Sequence, residues 1–371
     1  MKIVLHIGTH KTGTSALQSF CGLNREALLA RGVLYPRLAN KSNSFNFLAA
    51  RIAFGQADEV RRFFAETVKA AQRAHVGTIL VSGESFYAMT SLFYRLYDRP
   101  CGDYWEHERR CISELRSFLP AGVEYAIYCY VRRQDRFLES LYNQCVKHME
   151  GFDGDITAFL GRMHETLDYA RQLEIWGEVF GGDALHVRSY ESAAARLPEN
   201  FLAWALNIGQ TEGFSRLGKR VNERLSRDLL EYKRILNRIE LSRADAATAF
   251  VQVMELARIM GDNGSHHEYL SPGERQSLFE RFAASNAKMV DRYPEAGSLI
   301  LSGTASRALA WTPYPGLSVE DALEITFRHL RLARQPKERL QSMLRRVYYP
   351  LRRRHGFVDV FVRCIRNLLR I

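Results

Sequence analysis

Residues 7–18, IGTHKTGTSALQ, bring two glycines, three threonines, a serine, a histidine and a lysine into eight consecutive positions. Backbone N–H groups of a glycine turn that opens a helix form a nest for an oxyanion. Thr12, Thr14 and Ser15 add hydroxyl donors, and Lys11 adds a mobile positive charge. Gly8 and Gly13 have the spacing of the G-x-x-x-x-G-K-[ST] phosphate loop, yet Thr14 and Ser15 follow the second glycine and the lysine comes earlier. Nucleotide triphosphatases also use a strand-end aspartate to hold magnesium. The apolar runs here end in Glu84, Val131 and Glu191. The pattern therefore points to a phosphoryl-like group and away from ATP with magnesium. A tight turn without a ligand is the plainer reading of the two glycines alone. The polar side chains and the strand-loop-helix context favour the anion.

Glu84 closes the run TILVSGE, and Arg132 at the end of EYAIYCYV is followed eight residues later by Ser140. A carboxylate can take a proton from an acceptor hydroxyl if partial burial raises its pKa, which makes Glu84 a candidate general base. Its structural alternative is a helix N-terminal carboxylate or an ion-pair partner. His6 and His10 flank the loop and are alternative bases, or packing residues. Tyr142, Phe86 and Tyr87 are of a type that stacks on adenine or a sugar ring, or fills a core.

These residues need a frame. Runs 2–7, 78–84, 124–131 and 184–191 read as buried strands, and they alternate with helical patterns over 15–31, about 47–75, 104–119, 133–148 and near 167–180. In the first of these, Leu17, Phe20, Leu28 and Leu29 fall broadly on one side and Gly32 marks the stop. That alternation predicts an α/β fold, a parallel sheet covered by helices on both faces. Gly8, Glu84, Arg132 and Glu191 all follow strand ends, where ligands of open parallel sheets sit. From 197 to 335 the pattern is almost wholly helical, with turn signals at 261–265 and 314–316. The chain divides into an α/β core over 1–210, a helical portion over 211–335 that packs on it and walls the site, and an extension over 336–371.

At 371 residues and 46% hydrophobic, the chain can bury a substantial core. Its net charge of +11 is local: residues 331–371 hold twelve Lys/Arg and two Asp/Glu, leaving 40 and 39 for the rest. A nearly neutral body argues against nucleic acid as a partner. The six cysteines show no C-x-x-C pair or metal-ligand spacing, the first residues lack the apolar core of a signal peptide, and no stretch reaches eighteen apolar residues. A cytoplasmic location is expected. Residues 345–371 mix arginines with Val358, Phe361, Val362, Ile365, Leu368 and Leu369 near helical spacing. Such a segment suits peripheral contact with an anionic membrane, a polyanionic glycan, or docking on the body.

Taken together, HKTGTSALQ, LVSGESFY, YVRRQDRFLESLYNQ and LHVRSYES resemble, in that order over about 1–210, the family of sulfotransferases that use 3′-phosphoadenosine 5′-phosphosulfate (PAPS), in particular bacterial and carbohydrate-sulfotransferase-like members. The resemblance implies a P-loop-type α/β fold and sulfuryl transfer to a hydroxyl of a carbohydrate or glycolipid, with PAPS as co-substrate and no metal. It implies that the loop residues His10, Lys11, Thr12, Gly13, Thr14 and Ser15 hold the 5′-phosphosulfate. It gives Arg132 and Ser140 the 3′-phosphate, and Lys11 and Glu84 the catalytic roles. Two departures stand out. The basic-glycine clamp of many members has only a loose counterpart in RLGKRVN, with Lys219 and Arg220, and Arg133 stands where many relatives carry a neutral residue. Two rival expectations remain: a P-loop kinase of a small molecule, and a non-catalytic nucleotide- or polyanion-binding protein of the same fold.

Overall fold

Lys2–His6 is an apolar run whose side chains are buried on both faces after the first, the pattern of a strand inside a parallel sheet. The computed structural model describes residues 1–38, 42–148, 151–218, 225–261, 268–297 and 311–333. Its strands are β1 (Lys2–His6), β2 (Val33–Leu34), β3 (Thr78–Ser82), β4 (Glu124–Val131) and β5 (Leu185–Ser189). They form one parallel sheet ordered β2-β3-β1-β4-β5, flanked by helices, which bears out the α/β expectation at that level. β2 escaped the sequence reading because two residues carry no periodicity. β1, β3 and β5 end at 6, 82 and 189, earlier than the expected 7, 84 and 191. The chain turns there into the loop or short helices that carry the polar residues.

The chain leaves β1 for β3 on one side and returns past it to β4 and β5 on the other. This reversal puts a crevice beyond the carboxyl end of β1, the usual place for a ligand in an open parallel sheet. In register, His6 lies between Ser82 and Tyr128. The β1–β4 ladder then continues into the loop, with Ile7 N–H donating to Tyr128 O and Thr9 N–H to Tyr130 O, both at 3.0 Å.

The first helix spans Thr14–Leu23, and Asn24 separates it from a short helix, Arg25–Leu29. Leu17, Phe20 and Leu28 are buried as expected, but Leu29 is 38% exposed because the break at Asn24 turns it outward. Further helices cover Asn46–Ala53, Ala57–Arg73, Tyr104–Phe118, Gln134–Lys147 and Tyr169–Phe180. The sheet side of the molecule has one apolar core. A second core joins residues 137–167 to 225–332. The helical portion thus packs on the helix Gln134–Lys147, which starts directly after β4. The helix Pro272–Arg292 ties both cores together, with Leu278 and Phe282 in one and Met289 in the other.

A buried ionic knot fixes that junction. Asp135 is fully buried and accepts from Arg133 at 2.7 and 2.6 Å and from Arg275 at 2.6 Å. Arg275 continues to Glu139 at 2.7 Å, which also takes the N–H groups of Tyr269 and Leu270. Burial alone would raise the Asp135 carboxyl, but the two arginines hold it below the ordinary carboxylate range. Removing one member of such a knot leaves buried charge unpaired. Asp135→Ala is therefore expected to cost about 3–5 kcal/mol in denaturant unfolding.

Among the described residues no helix is long and apolar enough to cross a membrane. The described cysteines Cys21, Cys101, Cys111, Cys129 and Cys145 are free thiols.

Candidate functional site

The loop after β1 is shaped by its own side chains. The Thr12 hydroxyl, fully buried, donates to Thr9 O at 2.6 Å, while Thr9 Oγ1 donates to Tyr130 O at 3.2 Å. Both hydroxyls therefore close the turn, and Thr12 lies 3.5 Å from the Thr14 hydroxyl. Lys11 and Gly13 adopt left-handed backbone, with φ of 68° and 69°. At Gly13 a Cβ would also stand 2.5 Å from Leu197 Cδ2. Gly13→Ala is expected to cost at least about 1–2 kcal/mol from backbone handedness alone, and to weaken anion binding in a titration. Gly8 allows another close approach, since a Cβ there would lie 2.9 Å from His6 Nε2.

Gly13 caps the helix Thr14–Leu23 without a side-chain acceptor. Among the described residues, the N–H groups of Gly13, Thr14 and Ser15 have no hydrogen-bond acceptor. They are the open donors that a helix start offers an anion.

Cationic and acidic side chains gather at this turn. Lys11 is half-buried, and its amine has no hydrogen bond or ion pair among the described residues. Burial, then the neighbouring cations of Lys147 and Arg132, push it down from 10.5 to about 8. Arg132 enters from the end of β4 and donates to Lys11 O at 2.9 Å. Its guanidinium lies over the Tyr190 ring at 5.3 Å and 3.8 Å from Glu191, and the Tyr169 hydroxyl donates to its carbonyl at 2.5 Å. Arg133 is committed elsewhere, to Asp135, so Arg132 is the arginine that meets the loop.

Glu84 enters from the end of β3, half-buried. Gln18 on the first helix donates to Glu84 Oε2 at 2.7 Å. Burial would raise this carboxyl, but His10, its own N–H, Asn46 and Gln18 together pull it below the ordinary value. The condition attached to Glu84 as a base, a pKa raised by partial burial, is therefore not met. The sequence showed the burial but not the donors that outweigh it. His10 is 8% exposed, and its buried Nε2 has no partner. Burial lowers its pKa, partly offset by Glu84. His6, bonded to Ser82 Oγ at 2.9 Å, is pushed by burial to about 4. Burial thus favours the neutral form of both imidazoles, while the Glu84 carboxyl beside them favours the ionised form.

Ser140 lies on the half-buried stripe of its helix with Arg136, Gln144 and Lys147, and its hydroxyl makes no hydrogen bond among the described residues. Phe86, Tyr87 and Tyr142 are core residues, exposed by 0%, 0% and 3%, which leaves none of them free to stack on a ligand. Lys219, Arg220 and residues 345–371 lie outside the described residues. No group of three or more His, Cys, Asp or Glu able to hold a metal ion occurs among the described residues.

No protein-family model and no curated protein matches this chain. The functional reading therefore rests on the assembled geometry. Sheet order places Glu84, the loop, Arg132 and Glu191 side by side along one edge. Sequence reasoning missed Gln18, Asn46, Tyr169 and Lys147. Gln18 had one usable signal, its place one helical turn after Thr14.

Proposed function

We propose that this chain is a sulfotransferase that moves the sulfuryl group of PAPS to a hydroxyl of a carbohydrate or glycolipid, on a P-loop-type α/β core. The observation that carries this reading is the convergence at one strand-end crevice of an anion nest, an unpaired Lys11, Arg132 on the loop, and an ionised Glu84. In the transfer, the acceptor oxygen bonds to sulfur while the bond from sulfur to the nucleotide's phosphate oxygen breaks. The acceptor proton passes to a base, and 3′-phosphoadenosine 5′-phosphate leaves.

The chain's own residues fill the needed roles. N–H groups of Gly13, Thr14 and Ser15, with the Thr14 and Ser15 hydroxyls, hold the 5′-phosphosulfate, while Thr12 keeps the turn closed. Lys11, protonated, neutralises charge that develops on the leaving phosphate. Arg132 and Ser140 hold the 3′-phosphate, with Lys219 and Arg220 as a further clamp. Glu84 receives the acceptor proton, with neutral His10 next to it. The nucleotide phosphate is a good leaving group, so the roles assigned here need no metal. Residues 345–371 suit peripheral contact with an anionic lipid surface, a polyanionic glycan or docking on the body, and the first of these would fit a glycolipid acceptor.

A small-molecule kinase on the same fold would place its lysine after Gly13 and add a magnesium carboxylate. The test is transfer from sulfur-35-labelled PAPS in EDTA to a panel of sugars and glycolipids. Label is expected in a hydroxyl acceptor without magnesium. Transfer of the γ-phosphate of magnesium ATP, with none from PAPS, would favour the kinase.

A further inference from the structure

Two amides from different helices converge on one carboxylate, more than packing at this edge requires. Gln18, 4% exposed, sends one Nε2 hydrogen to Ser82 O at 3.2 Å and the other to Glu84 Oε2 at 2.7 Å. The orientation of Asn46 is fixed from its other side, because its Oδ1 accepts from the Ser85 N–H at 3.0 Å. Asn46 and the backbone N–H of Glu84 also favour the ionised carboxylate, while the hydrogen bond seen in the geometry is that of Gln18. Gly83 keeps this space open: a Cβ there would lie 3.2 Å from Asn46 Oδ1 and 3.0 Å from the Phe86 ring.

All three groups are donors, so they favour the ionised carboxylate and fix its plane. A half-buried glutamate without them would rotate freely about its last bonds. Gln18 also lies on the helix whose first N–H groups form the anion nest, one turn beyond Thr14. The orientation of the carboxylate is therefore mechanically tied to the cradle, not merely to its own strand end.

We propose that Gln18 and Asn46 are positioning residues that lock the Glu84 carboxylate in one orientation beside the loop, so that it meets the acceptor hydroxyl held there. This rests on the reading of Glu84 as the base. Gln18 and Asn46 touch neither the transferring group nor the nucleotide; they act through Glu84.

The test replaces Gln18 with methionine, which keeps the length and removes the donor, and titrates Glu84 in carbon-13 glutamate-labelled protein. Gln18→Met is expected to move the Glu84 titration to higher pH. Affinity for 3′-phosphoadenosine 5′-phosphate should stay within about twofold, while kcat falls about 10- to 100-fold and the acid limb of kcat/KM moves with the Glu84 titration. Gln18→Lys, which restores a donor, should recover part of the rate. Asn46→Ala asks the same question from the other helix should Gln18→Met fail to fold. An unchanged Glu84 titration, or an acid limb that stays in place while only stability drops, overturns the proposal. If the wild-type protein transfers no sulfuryl group, the sulfotransferase reading fails by itself. The labelled titration then still decides whether the two amides hold the carboxylate.

Discussion

Glu84→Gln is expected to slow sulfuryl transfer by about 10²- to 10⁴-fold, the usual share of a positioned general base, while nucleotide affinity stays within about twofold. The isosteric amide accepts the Gln18 hydrogen bond through its oxygen but cannot take up a proton at neutral pH. Because four influences hold the Glu84 carboxyl below its ordinary range, the wild-type acid limb should lie below the usual glutamate value. The group is therefore already ionised across the neutral range. What it supplies is a fixed acceptor with His10 beside it. Single-turnover rates with saturating PAPS measure the loss in the chemical step. A normal rate in Glu84→Gln would reassign the base, with the buried, unpartnered His10 Nε2 next in line.

Lys11→Ala is expected to lower kcat by about 10²- to 10³-fold, the loss seen when one preorganised charge stabiliser is removed. Lys11 also carries two local costs. Its backbone is left-handed at φ 68°, where a side chain costs about 1–2 kcal/mol, and its cation is half-buried beside Arg132 and Lys147. Folding depresses this amine to about 8 from 10.5, so its charged form is disfavoured in the native state. The penalty is full below about pH 8, shrinks as pH rises, and is gone above 10.5. Lys11→Gly should therefore unfold at a higher temperature than wild type near pH 7, with a smaller gain in alkali, and yet be inactive. Strain kept at a site is what function costs a fold. For the same reason kcat/KM should fall above about pH 8, and a bound dianion should take up protons at pH 8–9 in buffers of different ionisation enthalpy. No proton uptake there would separate Lys11 from the anion site.

The frame of this site was legible because its signals are local. Apolar runs without alternation gave four of the five parallel strands, and the strand-loop-helix order around Gly8 and Gly13 gave the nest. Arg132 and Glu84 were legible as strand-end residues. Their arrival at the same loop follows from a sheet order that no local pattern contains. What stayed hidden was pairing at a distance. Arg133 looks equivalent to Arg132 until Asp135 and Arg275 are seen to claim it. Gln18 reads as an ordinary polar position on a helix until Glu84, 66 residues on, is found 2.7 Å away. Phe86, Tyr87 and Tyr142 have the right chemistry for stacking, but their burial depends on helices far along the chain. The pKa of Glu84 ran against its burial for the same reason, since the donors come from elsewhere.

The most direct test is calorimetric titration with 3′-phosphoadenosine 5′-phosphate in EDTA, for the wild-type protein and for Arg132→Ala. One-to-one binding without metal is expected, weakened at least about tenfold by Arg132→Ala, as loss of a charge-assisted contact requires. No heat with the bisphosphate, or binding of magnesium ATP in its place, would contradict the account.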